Sequence, residues 1–190
     1  MIGIGFDIGS SFIKAALVGV KTGNPIARVR VPEVEIPIEV QQVGWAEQEP
    51  NLWWQYLCQA TQKLLTKAQI KADQISSIGI SYQMHGLVLI DKDLNPLRKS
   101  IIWCDSRAIS YGEKAFNALG ETYCKDHLFN SPGNFTASKL AWVIENEPEL
   151  YQKAYKIMLP GDFLVAKLSG VAQTTITGLS EGIFWDFKND

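Results

Sequence analysis

Apolar residues crowd into short runs through the first part of the chain. Residues 2 to 8 and 12 to 20 are rich in Ile and Val and are split by "DIGSS", which predicts two strands joined by a tight hairpin. The run "PIARVRV", behind the turn signal Gly23, Asn24 and Pro25, predicts a third strand and makes the opening an antiparallel meander. Behind Pro50 the period changes. Trp53, Tyr56, Leu57, Ala60, Leu64 and Ala68 recur at helical spacing, which predicts an amphipathic helix of about four turns. "ISSIGI" and "HGLVLI" return to strand composition, Asp91, Asn95 and Pro96 supply the next turn, and "SIIWC" predicts a further buried strand.

From Ser106 onward the pattern turns helical. "SRAISYGEKAFNALG" carries a Ser cap and a Gly stop, and "TASKLAWVIENEPELYQKAY" carries a Thr cap with Pro148 dividing two helices. Pro160 and Gly161 precede a short amphipathic helix that ends at Gly170. Three strands, a helix, then more strands predict an α/β layer in which a helix covers one face of a mixed sheet. There is no internal repeat and no low-complexity segment.

Composition narrows the function classes. With 190 residues, 46% of them hydrophobic, the chain can bury a sizeable core, and a net charge of −2 leaves no basic footprint for nucleic acid. Cys58, Cys104 and Cys124 lack any C-x-x-C spacing, so neither a zinc site nor a disulfide framework is expected, and reduced thiols suit a cytoplasmic protein. The apolar N-terminus lacks a basic start and is broken by Asp7, so it is mature structure rather than a signal peptide. No other stretch is long enough to span a membrane. Small molecules or proteins are the expected partners, with no nucleic acid and no membrane.

Three stretches could carry chemistry. In "FDIGSSFIK", Asp7 ends a strand, Gly9 allows close backbone approach, Ser10 and Ser11 offer hydroxyls in a turn, and Lys14 follows in the next strand. Those parts suit a nucleotide triphosphate, with Asp7 holding a magnesium ion or its water; the same residues also make a plain Asp-Gly hairpin with a solvated lysine. In "SYQMHGLVLI", Gln83, Met84 and His85 interrupt an apolar run just before Gly86. They suit a small-ligand pocket at a strand end, or equally a gap-filling Met and a structural His. In "WCDSR", Trp103 offers an aromatic plate for a sugar, while Asp105 and Arg107 could bond hydroxyls or pair with each other beside a core tryptophan.

These motifs stand in a familiar order. "GFDIGSSFIK", "GWAEQEP" followed by "WW", "YQMHG", "WCDSR", "FTASKLAWV" with "NEPE", and "LPGDFLVAKLSG" resemble, in sequence and spacing, the FGGY carbohydrate kinases. Within that family the chain is most similar to the members that phosphorylate xylulose, and the likeness runs from Ile2 to about Asp186. The resemblance implies a ribonuclease-H-like, actin/hexokinase-type ATPase domain, with a mixed sheet, flanking helices and a helical insertion on the sugar side. It implies ATP and Mg2+ as cofactors and transfer of a phosphoryl group to D-xylulose, giving D-xylulose 5-phosphate. Asp7 matches the aspartate that organises magnesium, and Gly9, Ser10 and Ser11 match the first phosphate loop. Met84 and His85 match the pair that touches the ketose, Gln83 would support them, and Trp103 matches the tryptophan beside the polyol chain. Asp105 and Arg107 match motif residues.

The departures set limits. Family members are much longer, so residues 1 to 190 are expected to be a largely complete N-terminal, sugar-binding domain without the C-terminal ATP-binding domain and without the general-base aspartate. The piece alone is then expected to be inactive, and its exposed interface would favour self-association, a homodimer included. Other sugars or polyols (glycerol, ribulose, gluconate) remain alternatives, as does a short actin-like module that binds nucleotide or sugar without phosphorylating it. Thr175 and Gly178 stand where relatives often carry acids, which leaves the exact sugar open.

Overall fold

The computed structural model describes residues 1–189, and the chain divides into two compact units. The first contains Met1–Pro37 and Asn51–Gln83, and the second contains Ile38–Pro50 and the chain from Met84 onward.

In the first unit the predicted meander forms. Strands β1 (Ile2–Ile8), β2 (Ile13–Gly19) and β3 (Pro25–Val31) pair antiparallel in sequence order. A short strand β4 (Glu47–Gln48), which belongs to the second unit, precedes helix α1 (Pro50–Ala68), and β5 (Ile75–Tyr82) then returns parallel to β1. The sheet is therefore mixed, in the order β3-β2-β1-β5. The period-two alternation puts Ile4, Phe6, Ile8, Ile13, Ala15 and Leu17 in the core and leaves Asp7 and Lys14 exposed. On α1, Trp53, Leu57, Ala60 and Leu64 are buried at steps of four, three and four, one stripe of the helix; each large apolar side chain so covered contributes about 1.5–3 kcal/mol. The stripe is the one the sequence predicted, with Tyr56 and Ala68 at its half-buried margins.

The second unit is built from short strands and helices. Strand β6 (Val88–Ile90) and the two-residue β7 (Ser100–Ile101) correspond to "HGLVLI" and "SIIWC", and β7 pairs antiparallel with β4. Helix α2 (Ile109–Leu119) ends at Gly120, the glycine stop that the sequence predicted, with a φ of 83° that favours glycine. Helix α3 (Glu121–Tyr123) runs into a π-helical turn over Cys124–Leu128. Helices α4 (Thr136–Asn146) and α5 (Pro148–Tyr151) are divided at Pro148 as expected. Strand β8 (Lys156–Met158), α6 (Pro160–Ser169) and α7 (Ile176–Glu181) complete the unit. Leu87, Leu89, Ile101, Ala108, Trp142 and Val143 form a shared core cluster.

Both expected hydroxyl caps fail, for one reason. The Ser106 hydroxyl donates to the Gly44 carbonyl at 2.9 Å, and that of Thr136 donates to the Gly86 carbonyl at 3.4 Å. Long-range carbonyls have recruited the groups that local sequence assigns to helix ends. Strand β8 was also unexpected, because three residues behind a helical pattern carry little period of their own; its pairing with β6 supplies the strand.

Helix α2 comes very close to the loop before α4. A Cβ at Gly112 would lie 1.8 Å from the Gly133 carbonyl oxygen, so only glycine permits that approach. Gly112→Ala is expected to cost about 3 kcal/mol, measured as a drop in Tm of roughly 6–12 °C. Gly79→Ala, whose Cβ would meet nothing within 4 Å, serves as the control and should leave Tm nearly unchanged.

Candidate functional site

The first unit carries the proposed phosphate-side residues. Asp7 and Lys14 are register partners across β1 and β2, and Lys14 Nζ donates to Asp7 Oδ2 at 3.0 Å with both side chains more than half exposed. Such an open pair contributes little to stability, which leaves both charges available to a ligand. Gly9 N–H donates to the Phe12 carbonyl at 3.0 Å, closing the hairpin, and a Cβ at Gly9 would sit 3.0 Å from that same oxygen. Ser10 and Ser11 form the bend, and the Ser11 carbonyl accepts from Ile36 N–H at 2.9 Å. A groove of about 590 Å³ is lined by Gly5, Asp7, Lys14, Ala16, Arg28 and Arg30 among others, so basic side chains outnumber the one carboxylate. Among the described residues no group of three or more His, Cys, Asp or Glu side chains could hold a metal ion. Asp7 is thus a single carboxylate, which is the donor set that magnesium uses when water and phosphate oxygens supply the rest of its shell.

The boundary between the units falls inside "YQMHG". Gln83 ends the first unit, nearly buried, and its N–H donates to the Ile8 carbonyl at 2.8 Å. Met84 and His85 open the second unit, in a turn rather than at a strand end. Three elements of that unit hold the turn. Glu181, at the end of α7, accepts the backbone N–H of His85, and its Oε1 lies 2.6 Å from His85 Nδ1. The Phe135 ring meets the imidazole edge-on at 4.1 Å between centroids, just before α4. Pro160, at the start of α6, fills the space over Gly86, where a Cβ would fall 2.5 Å from its Cγ. The approach that Gly86 allows is therefore made by the protein itself. His85 has φ of 59°, in the left-handed region that few non-glycine residues occupy.

Met84 and Trp103 differ from His85 in being open to solvent, 56% and 50% exposed. Asp105 is the reverse: fully buried, with its carboxylate accepting from Ala46 N–H at 2.6 Å, from Arg107 N–H at 2.9 Å and from the Arg107 guanidinium at 2.7–3.0 Å. Arg107, its side chain 1% exposed, also pairs with Glu47 at 2.8 Å and lies over the rings of Trp45 and Trp142 at 3.7 and 4.8 Å. The tryptophans beside the ion pair are these two, and Trp103 is left to face outward.

Against known proteins, the description "FGGY family of carbohydrate kinases, N-terminal domain" matches residues 2–190. The chain belongs to the FGGY family of carbohydrate kinases. It is 34% identical over 176 residues to a xylulose kinase of Bacillus subtilis, covering 90% of this chain and 34% of that protein. The crystal structure of a "xyloylose kinase" from Brucella ovis superposes with a TM-score of 0.86 at 28% identity, covering 96% of this chain and 37% of that one. A gluconate kinase structure from Lactobacillus acidophilus superposes with a TM-score of 0.82 at 25% identity, covering 99% and 37%. This FGGY chain thus has the actin/hexokinase-type ATPase fold and spans about a third of the length of the relatives it matches.

Thr175 and Gly178 each have a local role. Thr175 is the N-cap of α7, its Oγ1 accepting from Gly178 N–H at 3.0 Å, which is the bond an aspartate would also accept there. At Gly178 a Cβ would fall 2.6 Å from Thr174 Oγ1, so the helix start is packed around a missing side chain. The residue that sequence reasoning missed is Glu181. It lies 96 positions from His85, and nothing in "TGLSEG" signals a partner so far away.

Lys139 is wholly buried, and its Nζ donates to the Asn134 carbonyl at the other end of a link in which Asn134 Nδ2 donates to the Asp105 carbonyl. Burial pushes the Lys139 ammonium down to about 8, against the opposing pull of Asp105 and Glu181. Because the folded value lies below the ordinary 10.5, the unfolded chain holds more protons between those limits. Destabilisation by the buried charge is full below about 8 and fades as pH rises through that window. Urea unfolding should show wild type gaining about 2 kcal/mol on Lys139→Met between roughly pH 7.5 and 10. Parallel pH curves for the two proteins would contradict it.

Proposed function

We propose that this chain is the sugar-binding part of a cytoplasmic kinase that transfers the γ-phosphoryl group of ATP to D-xylulose, forming D-xylulose 5-phosphate. One observation carries the reading: a turn holding Met84 and His85, with His85 in the left-handed region, is clamped by three elements of its unit. Structure invested at a solvent-facing turn suits recognition, and the curated relatives of this chain are named xylulose kinases.

In this reading the exposed faces of Met84 and Trp103 pack against the carbon chain of the ketose, and His85, with Gln83 two positions before it in the chain, bonds a hydroxyl. Asp105 acts at one remove. Its oxygens are taken up by Arg107 and Ala46 N–H, so it fixes the segment that presents Trp103 rather than touching the sugar. Ser10, Ser11 and the turn N–H groups would hold the phosphates, Lys14 would offset their charge, and Asp7 would hold magnesium through water. Magnesium, when bound with ATP, neutralises charge on the phosphoryl oxygens.

Removal of the proton from the sugar hydroxyl falls to a carboxylate outside these 190 residues, in the C-terminal part that the longer relatives possess. Gluconate is the second reading, favoured by the likeness to the Lactobacillus acidophilus protein. The carboxylate of Glu181 beside His85 argues for a neutral sugar, since an anionic acid would be repelled there.

The test uses the polypeptide encoded by the complete reading frame, assayed with D-xylulose, D-ribulose, glycerol and gluconate. D-Xylulose should give the highest kcat/KM, and His85→Ala should lower kcat/KM for it by about a hundredfold while leaving KM for ATP within about twofold. Equal losses for sugar and ATP, or a preference for gluconate, would overturn the assignment.

A further inference from the structure

Glu181 stands where the fold brings the end of α7 against the Met84–His85 turn. Its carboxylate does two things at once: Oε1 accepts the backbone N–H of His85 and lies 2.6 Å from the ring Nδ1. The imidazole approaches at an angle outside hydrogen-bond geometry, and Nδ1 is buried from water, so rotation of the ring toward Oε1 is the way this nitrogen can be satisfied. Phe135 packs against the ring and limits that rotation. Around the carboxylate, Oε2 is buried, and Lys139 feels its charge.

We infer that Glu181 is a positioning residue for His85: its carboxylate holds the backbone of the turn and serves as the hydrogen-bond acceptor for Nδ1–H, so that Nε2 is the ring atom offered to a ligand. The physical reason is that a neutral imidazole carries one N–H, and the partner of one nitrogen decides which nitrogen keeps the proton. An acceptor fixed at Nδ1 makes Nε2 a hydrogen-bond acceptor with a set direction, suited to a hydroxyl donor. In water the other tautomer is the common one, so without Glu181 the exposed nitrogen would present a donor instead. Backbone and ring are served by the same oxygen, which couples the left-handed turn to the orientation of the side chain. For the sugar the inference rests on the reading proposed above, whereas the tautomer itself does not.

The 190-residue chain contains only two histidines, so nitrogen NMR of the imidazole rings can follow both, with His127→Gln assigning the signals. Wild type at alkaline pH should show His85 in the Nδ1–H form; the Nε2–H form in wild type would overturn the inference without recourse to any variant. Glu181→Ala should convert His85 to the Nε2–H form, and Glu181→Gln, which keeps an acceptor oxygen, should retain Nδ1–H. An unchanged tautomer in Glu181→Ala would overturn it too. In the complete polypeptide, Glu181→Ala should raise KM for D-xylulose about tenfold with KM for ATP unchanged. If KM for the sugar stays the same while the tautomer switches, the positioning has no part in binding and the inference fails for the ligand. A complete polypeptide that phosphorylates none of the four sugars would instead sink the proposed function, leaving the tautomer result to be judged on its own.

Discussion

The second unit depends on a buried guanidinium. Arg107 lies against the rings of Trp45 and Trp142 and is paired with Asp105 and Glu47, and none of these charges has appreciable access to water. A charge so placed is tolerated only when its partners are complete, because removal of one leaves the others desolvated and unpaired. Glu47 also pairs with Arg98, and Arg98 pairs with Glu147 at 3.4 Å, so β4, the segment before β7 and the junction of α4 with α5 converge on the same cluster. The requirement that every member be present fixes those segments relative to one another more strictly than apolar packing would.

That cluster reaches toward the candidate site through polar links. The Asp105 carbonyl accepts from Asn134, and the Asn134 carbonyl accepts from Lys139. Lys139 in turn lies in the field of Glu181, whose carboxylate holds His85. The series starts at the buried Arg107 and ends at the partly exposed imidazole. The arrangement separates two tasks. Buried charges position the backbone, and the open side chains of the candidate site, Met84 and Trp103, carry no charge.

Much of this was legible in the sequence where the signal was local. The β1–β2 hairpin, the buried stripe of α1, the stop at Gly120 and the break at Pro148 each followed from periodicity or from a residue with restricted dihedrals. The pairing of Asp105 with Arg107 was also among the alternatives that the residues themselves suggested, although the tryptophans beside it are Trp45 and Trp142 rather than the Trp103 of the same motif. What escaped was set by long-range partners. Ser106 and Thr136 have the chemistry of helix caps, yet distant carbonyls claim their hydroxyls. β8 exists through its pairing with β6, and α7 starts at a threonine whose capping role cannot be told from a turn until the helix is seen.

Glu181 shows most clearly why a site is harder to read than a fold. A core position repeats, so several residues vote for it together; a single carboxylate at a helix end carries no period and has no local partner. Its meaning comes from the turn it meets, and that turn is itself unusual, with a non-glycine residue in the left-handed region. The left-handed φ of His85 permits its N–H and its ring nitrogen to approach the same oxygen atom, and glycine at position 86 permits Pro160 to close over the other side. Each of these features is locally unfavourable or neutral. They persist because α4, α6 and α7, with the residues at their ends, over-determine the turn, and a surface turn held in that way is where side chains can be presented to a ligand at little entropic cost.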